Sequence, residues 1–264
     1  MNIKASETLF REGILERQRV LITGGTGELG SHIIDALSYL GAQVYFFYNS
    51  NRAKAEKIAE RLESKGLLLG YFQADFSKVE EESGQYQEIT RKIRPTAFIS
   101  NAATTQSSLL VFTGHEEVDQ MLKINTLAPI LLSKYCLEEM YRERYGRFIF
   151  ISSIAAERGV LGSSVYCCAK SAINGFMRGL SMENRGMNIS ANALSPSTFL
   201  SRLSMDSMTE EGLNSALKSK EHSDSLIYEL VNSCIKLLAS ESCSINGQNL
   251  VIDSGVTNSF CIKQ

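Results

Sequence analysis

The chain has 264 residues, of which 44% are hydrophobic and 21% charged, and a formal net charge of −2. That length suits one large domain, and the charge balance leaves no footprint for nucleic acid or an anionic membrane surface. No apolar run approaches the ~18 residues that span a bilayer, and the six cysteines lack metal-type spacing, so reduced thiols in a cytoplasmic protein are expected.

Residues 1–18 have no signal-peptide core and carry acids that a transit peptide avoids; they read as an amino-terminal arm before a single domain over 19–264. Strands are predicted over Arg19–Thr23, Gln43–Tyr48, Leu67–Ala74, Ala97–Asn101, Arg147–Ser152, Asn188–Leu194 and Asn249–Ile252. Several, such as "VYFFY" and "FIFIS", are continuous apolar runs, as in strands buried on both faces. Helical patterns fall between them, over Leu29–Leu40, Arg52–Ser64, Val79–Ile93, Glu116–Arg144, Ser164–Asn184 and Ser225–Ala239. Such alternation predicts an α/β fold, a doubly wound parallel sheet of about seven strands with helices on both faces. A long Ser-, Met- and Thr-rich excursion near 196–223 reads as a flap.

"VLITGGTGELGSHIIDAL", Val20 to Leu37, places glycines at 24, 25, 27 and 30 between the first strand and first helix. This is the context of a dinucleotide fingerprint, where helix-start N–H groups meet a pyrophosphate that Cβ atoms would obstruct. The alternative is a glycine-rich turn of some other α/β fold.

In "YCCAK", Tyr166 and Lys170 lie one helical turn apart, and the ammonium is expected to lower the phenol's pKa. Ser153 ends the strand "RFIFISS", at the sheet edge where ligands sit. Asn125 lies in "KINTLAP", within the long helical stretch. Read singly, these are a core tyrosine, a solvated lysine, a helix cap and a bridge between backbone groups.

Taken together, Thr23–Gly24–Gly27–Gly30 and Asn125–Ser153–Tyr166–Lys170 resemble the short-chain dehydrogenase/reductase superfamily, single-domain type, with its Rossmann-like fold. The T-G-x-x-G-x-x-G spacing is nearer to the superfamily's extended members, and the shorter pattern would put Glu28 at a glycine position; this acid is expected to point to solvent. The resemblance implies that Tyr166 is the general acid, Ser153 a hydrogen-bond donor to the carbonyl oxygen, and Lys170 a ligand of the nicotinamide ribose. It makes Asn125 the anchor of a water relay. It assigns Thr23, Gly24, Thr26, Gly27, Leu29 and Gly30 to the pyrophosphate loop, and Asp75 and Phe76 to the adenine region. Asn101, Ala102 and Ala103 fall beside the adenine ribose, Pro196 in the turn by the nicotinamide, and Phe199 and Ser201 at its carboxamide.

Discrimination between nicotinamides lies at the end of the second strand, where an acid favours NAD and a cation favours NADP. Tyr48 stands at the acid position, followed by Asn49, Ser50, Asn51 and Arg52. A guanidinium pairs well with phosphate, so NADP(H) is favoured over NAD(H). Arg52 can also be read as a solvated helix-start residue.

The stretch "YNSNRAKAEKIAERL" and the closing "INGQNLVIDSG" loosely resemble the 3-oxoacyl-(acyl-carrier-protein) reductases. That implies an NADPH-dependent reduction of a ketone or acyl-thioester carbonyl, with a homodimer or homotetramer built on the long helices. Arg142, Arg144 and Arg147 either receive an acidic carrier protein or form a solvated helix end. The alternatives are a non-catalytic NAD(P)-binding sensor or partner subunit, a sugar, polyol or steroid dehydrogenase, and an extended-type sugar-nucleotide enzyme.

Overall fold

The computed structural model describes residues 10–105, 107–198, 220–241 and 243–258. Seven strands form one parallel sheet: β1 (Arg19–Ile22), β2 (Gln43–Tyr48), β3 (Leu68–Gln73), β4 (Ala97–Ser100), β5 (Gly146–Ile151), β6 (Ile189–Pro196) and β7 (Asn249–Ile252). Their order is β3-β2-β1-β4-β5-β6-β7. It reverses between β1 and β4, which opens a crevice at the carboxyl ends of those strands.

Helices α1 (Glu28–Tyr39), α2 (Arg52–Glu63), α3 (Ser83–Ile93), α4 (His115–Leu122), α5 (Ala128–Glu143), α6 (Ser164–Asn184) and α7 (Lys220–Ala239) connect the strands. The strand pleat sends alternate residues to opposite faces. Val20, Ile22, Val44 and Phe46 join Ile33, Ile58 and Leu230 in one core. Leu21, Tyr45, Phe47 and Phe98 join Tyr86, Leu132 and Met177 in the other. Because both faces are covered, all six residues of β5 are buried.

The predicted boundaries of β2, α6 and β7 coincide with those found. The helix expected from Ser225 begins instead at Lys220. The single helix expected over Glu116–Arg144 is interrupted by a wide π-type turn, Lys123–Leu127. Pro129 explains it, since this residue has no N–H to donate to the carbonyl of Asn125, four residues earlier. Of the arm, Leu15 is buried in the core and its N–H donates to Leu40 O at 3.0 Å.

Residues 199–219 lie outside the described residues, so the expected flap is covered only at its margins. Among the described residues no helix is long and apolar enough to cross a membrane, no group of side chains is arranged to hold a metal, and five cysteines are free thiols.

Candidate active site

The glycine loop closes tightly on its own chain. Gly24 has φ +67°, a conformation that side chains disfavour. A Cβ on Gly30 would overlap Gly24 O, and one on Gly24 would sit 3.0 Å from Ala102 Cα. Thr23 Oγ1 accepts from the N–H groups of Asn101 and Ala102, both at 2.9 Å. Asn101 Nδ2 donates to the carbonyls of Thr23 and Gly24 at 3.0 and 3.1 Å. These bonds bind the ends of β1 and β4 together at the switch point. The loop's glycines therefore serve backbone-to-backbone packing as well as access for a ligand.

Above the loop runs a cleft of about 870 Å³. Of the sequence candidates, Gly24, Thr26, Gly27, Leu29, Asn49, Ser50, Asp75, Phe76, Asn101, Ala102, Ala103, Ser153, Tyr166, Lys170 and Pro196 line it. Thr23, Gly30, Asn51, Arg52 and Asn125 are not among its lining residues. Phe199 and Ser201 lie outside the described residues.

Asn51 caps α2, its Oδ1 accepting from Lys54 N at 3.0 Å. The Arg52 side chain is 76% exposed and pairs with Glu56 at 2.8 Å, an i,i+4 attraction that directs it along the helix. Asp75 is partly engaged, its Oδ1 accepting from the N–H and hydroxyl of Ser77 at 3.1 and 2.7 Å. Glu28 stands in the first turn of α1 with its carboxylate 3.4 Å from His32 Nε2 and 46% of its side chain exposed. The acid is turned toward His32 but is also one of the residues that line the cleft, so the expectation that it points to solvent is met only in part.

Three members of the predicted tetrad converge at the far end of the cleft. Ser153 follows β5, where its Oγ accepts from Ala155 N at 3.1 Å. Its hydroxyl also hydrogen-bonds the Tyr166 phenol. The Lys170 ammonium lies 5.7 Å from the centre of the Tyr166 ring and donates to Ile151 O at 2.8 Å. Burial pushes the Tyr166 phenol up to about 12, against the lowering effect of Ser153. Burial also brings Lys170 down to about 8. The expectation that Lys170 lowers the phenol is therefore corrected: removal of the phenol from water raises it, and the group that opposes this is the Ser153 hydroxyl.

Asn125 is one layer further back. Its amide clamps the backbone of Thr104, accepting from the N–H at 3.2 Å and donating to the carbonyl at 2.9 Å. The side chain thereby fixes the segment after Ala103 that lines the cleft.

The expected basic cluster does not form as a surface. Arg147 is 1% exposed, and its guanidinium donates to Ser240 O and Asn188 O at 2.8 and 2.9 Å. Arg142 pairs with the buried Glu139 at 2.5 Å. Arg142 and Arg144, at the end of α5, lie at the amino ends of the strands, on the sheet edge opposite the cleft.

Sequence reasoning missed two residues here. Glu157 Oε1 accepts from Asn174 and Asn249 at 2.9 and 2.7 Å, tying the wall after Ser153 to α6 and β7. Lys54 Nζ reaches back to the glycine loop, 3.1 Å from Ser31 Oγ and 3.5 Å from Gly27 O. The available signal was Asn51, since a cap there sets which face of α2 residue 54 occupies.

A profile of the short chain dehydrogenase family matches residues 18–212. The 3-oxoacyl-(acyl-carrier-protein) reductase of Rickettsia bellii is 26% identical over 242 residues, covering 92% of this chain and 98% of that protein. Its counterpart in Pseudomonas aeruginosa is 32% identical over 183 residues, covering 69% and 74%. A solved structure of a putative NAD(P)-dependent gluconate 5-dehydrogenase from Beutenbergia cavernae, with bound NADP, superposes with a TM-score of 0.78 at 20% identity. It covers 92% of this chain and 97% of that one. On the matched profile, with the fold and cleft described above, the chain belongs to the short-chain dehydrogenase/reductase family, and it is an NAD(P)-dependent oxidoreductase.

Proposed function

We propose that the chain is an NADPH-dependent carbonyl reductase acting on a 3-oxoacyl thioester or a similar ketone. The observation that carries this reading is the convergence of Ser153, Tyr166 and Lys170 at one end of a cleft that begins at a glycine-lined helix start.

The residues present fit a dinucleotide. The loop closes so tightly that a Cβ at Gly30 would overlap Gly24 O, and the amino terminus of α1 favours an anionic pyrophosphate. A bound reduced nicotinamide supplies the hydride that adds to the carbonyl carbon. With its pKa near 12, Tyr166 is fully protonated at neutral pH and holds the proton that the carbonyl oxygen takes. Ser153 donates a hydrogen bond to that oxygen as negative charge develops on it. The Lys170 ammonium, 5.7 Å from the Tyr166 ring centre, stabilises the phenolate that Tyr166 leaves and would hold the ribose hydroxyls of a bound nicotinamide nucleotide. Asn125 holds the Thr104 backbone of the substrate wall and anchors a water on the proton route.

The choice of NADPH is supported by the absence of an acid at Tyr48 and by the small polar groups of Asn49 and Ser50 in the cleft. The thioester is suggested by the names of the relatives. An acyl carrier protein as the donor, and assembly into a homodimer or homotetramer, belong to the same proposal. Such a carrier must approach the cleft edge, since the arginines near Arg144 face the other way.

Purified protein should oxidise NADPH in the presence of a 3-oxoacyl thioester. Tyr166→Phe should lower turnover by about 10²-fold or more with the melting temperature unchanged. Cofactor binding without turnover on a broad carbonyl panel overturns the proposal in favour of a nucleotide sensor.

A further inference from the structure

A second cavity, of about 600 Å³, opens at the amino ends of the strands, on the edge of the sheet opposite the cleft. Four cations line it, Arg19, Arg91, Lys92 and Arg94, against a single lining carboxylate among the described residues, Glu143. The whole chain has a net charge of −2, so this concentration of positive charge is local. Cations gathered round one void repel each other unless anions pair with them.

The carboxylates within reach are too few. Arg19 spans the floor, where its Nε donates to Arg94 O at 2.7 Å and its Nη2 pairs with Glu143 at 3.3 Å. Arg91 stands 4.0 Å from Glu138, whose Oε2 also accepts from Gln87 at 3.3 Å. Lys92 and Arg94 make no ion pair among the described residues. Arg94 is also fixed in place. It ends α3 at φ +47°, a left-handed conformation that favours glycine. Its N–H donates to Thr90 O at 2.8 Å, and its carbonyl is held by Arg19. Cations near the carboxyl end of a helix are favoured by the dipole. That accounts for Arg91 and Lys92 in the last turn of α3, but not for the cavity that they share with Arg19.

We infer that this cavity is a second ligand site, which takes a small molecule carrying adjacent phosphate groups. Several cations around one void call for an anion of multiple charge, and guanidinium forks fit phosphate oxygens two at a time. The volume falls in the range of small-molecule sites and exceeds what one inorganic phosphate fills. Leu69 offers an apolar face to whatever carries the phosphates. Lys92 and Arg94 supply the unpaired charge, and Arg19 keeps its bond to Glu143 as the floor. Binding is non-covalent, and the site shares no lining residue with the dinucleotide cleft.

The test is calorimetric titration of sodium tripolyphosphate, ATP and citrate into the full chain, with NADPH and NADH in excess to fill the cleft and thermal melts to verify folding. Wild-type protein should bind tripolyphosphate saturably, and citrate about 10-fold more weakly or worse. Lys92→Met combined with Arg94→Asn, since asparagine accepts the left-handed turn, should weaken tripolyphosphate by about 10- to 100-fold. Lys92→Met alone, at an exposed helix position, should weaken it by about 5- to 10-fold. Lys57→Met, at an exposed position of α2 outside the cavity, should leave it within about twofold. ATP bound tighter than tripolyphosphate identifies a nucleotide as the carrier of the phosphates, and ATP bound no tighter shows that the phosphates alone are read. Absence of saturable binding, or equal affinity in the wild type and a folded variant at Lys92, means that the cations only offset the helix end, and the inference fails. It fails too if Lys57→Met weakens binding as much as the paired substitutions, or if citrate binds as well as tripolyphosphate.

Discussion

Lys170 is 4% exposed, and its ammonium titrates at about 8 in the folded chain, below its ordinary value of 10.5. Keeping that charge buried at pH 7 costs roughly 3 kcal/mol relative to the unfolded chain. Between pH 8 and 10.5 the unfolded chain binds more protons than the folded one, so stability from this group rises with pH. Going from pH 7 to 9.5 should recover about 2 kcal/mol. The Tyr166 phenol moves the other way, from an ordinary 10.0 up to about 12. Its contribution is intact below about pH 10 and is lost only as pH rises through 12, so 9.5 is a suitable upper limit. Lys170→Met removes the titration. Urea unfolding of wild type and variant at both pH values gives a double difference in which the wild type gains about 2 kcal/mol more than the variant. If the two proteins respond alike, within about 0.5 kcal/mol, the argument that burial sets the Lys170 pKa is wrong.

Gly30→Ala drives a methyl into the Gly24 carbonyl and should cost about 2–3 kcal/mol while weakening dinucleotide binding, seen by melting and calorimetry. Gly84→Ala, in open space in α3, should instead stabilise by about 0.5–1 kcal/mol. Arg147→Met leaves the carbonyls of Ser240 and Asn188 without their donor and should destabilise by about 3 kcal/mol or more, with cofactor affinity unchanged. Asn125→Ala frees the Thr104 backbone and should cost about 2 kcal/mol in urea unfolding, together with a fall in kcat.

Much of the fold was legible because the strands are apolar on both faces and the helices are punctuated between them. "QVYFFY" could hardly be anything but a central strand, and Tyr166–Lys170 with Ser153 thirteen residues earlier predicted three groups that do meet in the cleft. What escaped depended on direction rather than on residue type. Arg52 and Lys54 share one helical turn, yet i,i+4 pairing with Glu56 turns the first outward and the second crosses to the loop. Arg147 reads as a surface charge, although it is the second residue of a strand whose six residues are all buried; its long stem reaches the carbonyls of Asn188 and Ser240. Apolar periodicity around Asn125 reads as one continuous helix, and the break there comes from Pro129, four residues on. The phenol's upward shift comes from burial around Tyr166, which spacing alone does not reveal.

The central claim is tested most directly by following the hydride itself. Protein incubated with NADPH deuterated at the transferable nicotinamide position and a 3-oxoacyl thioester should yield a hydroxyacyl product carrying one deuterium on the carbinol carbon, and Tyr166→Phe should yield almost none. Product without the label, or tight NADPH binding with no labelled alcohol from any carbonyl offered, would contradict the account.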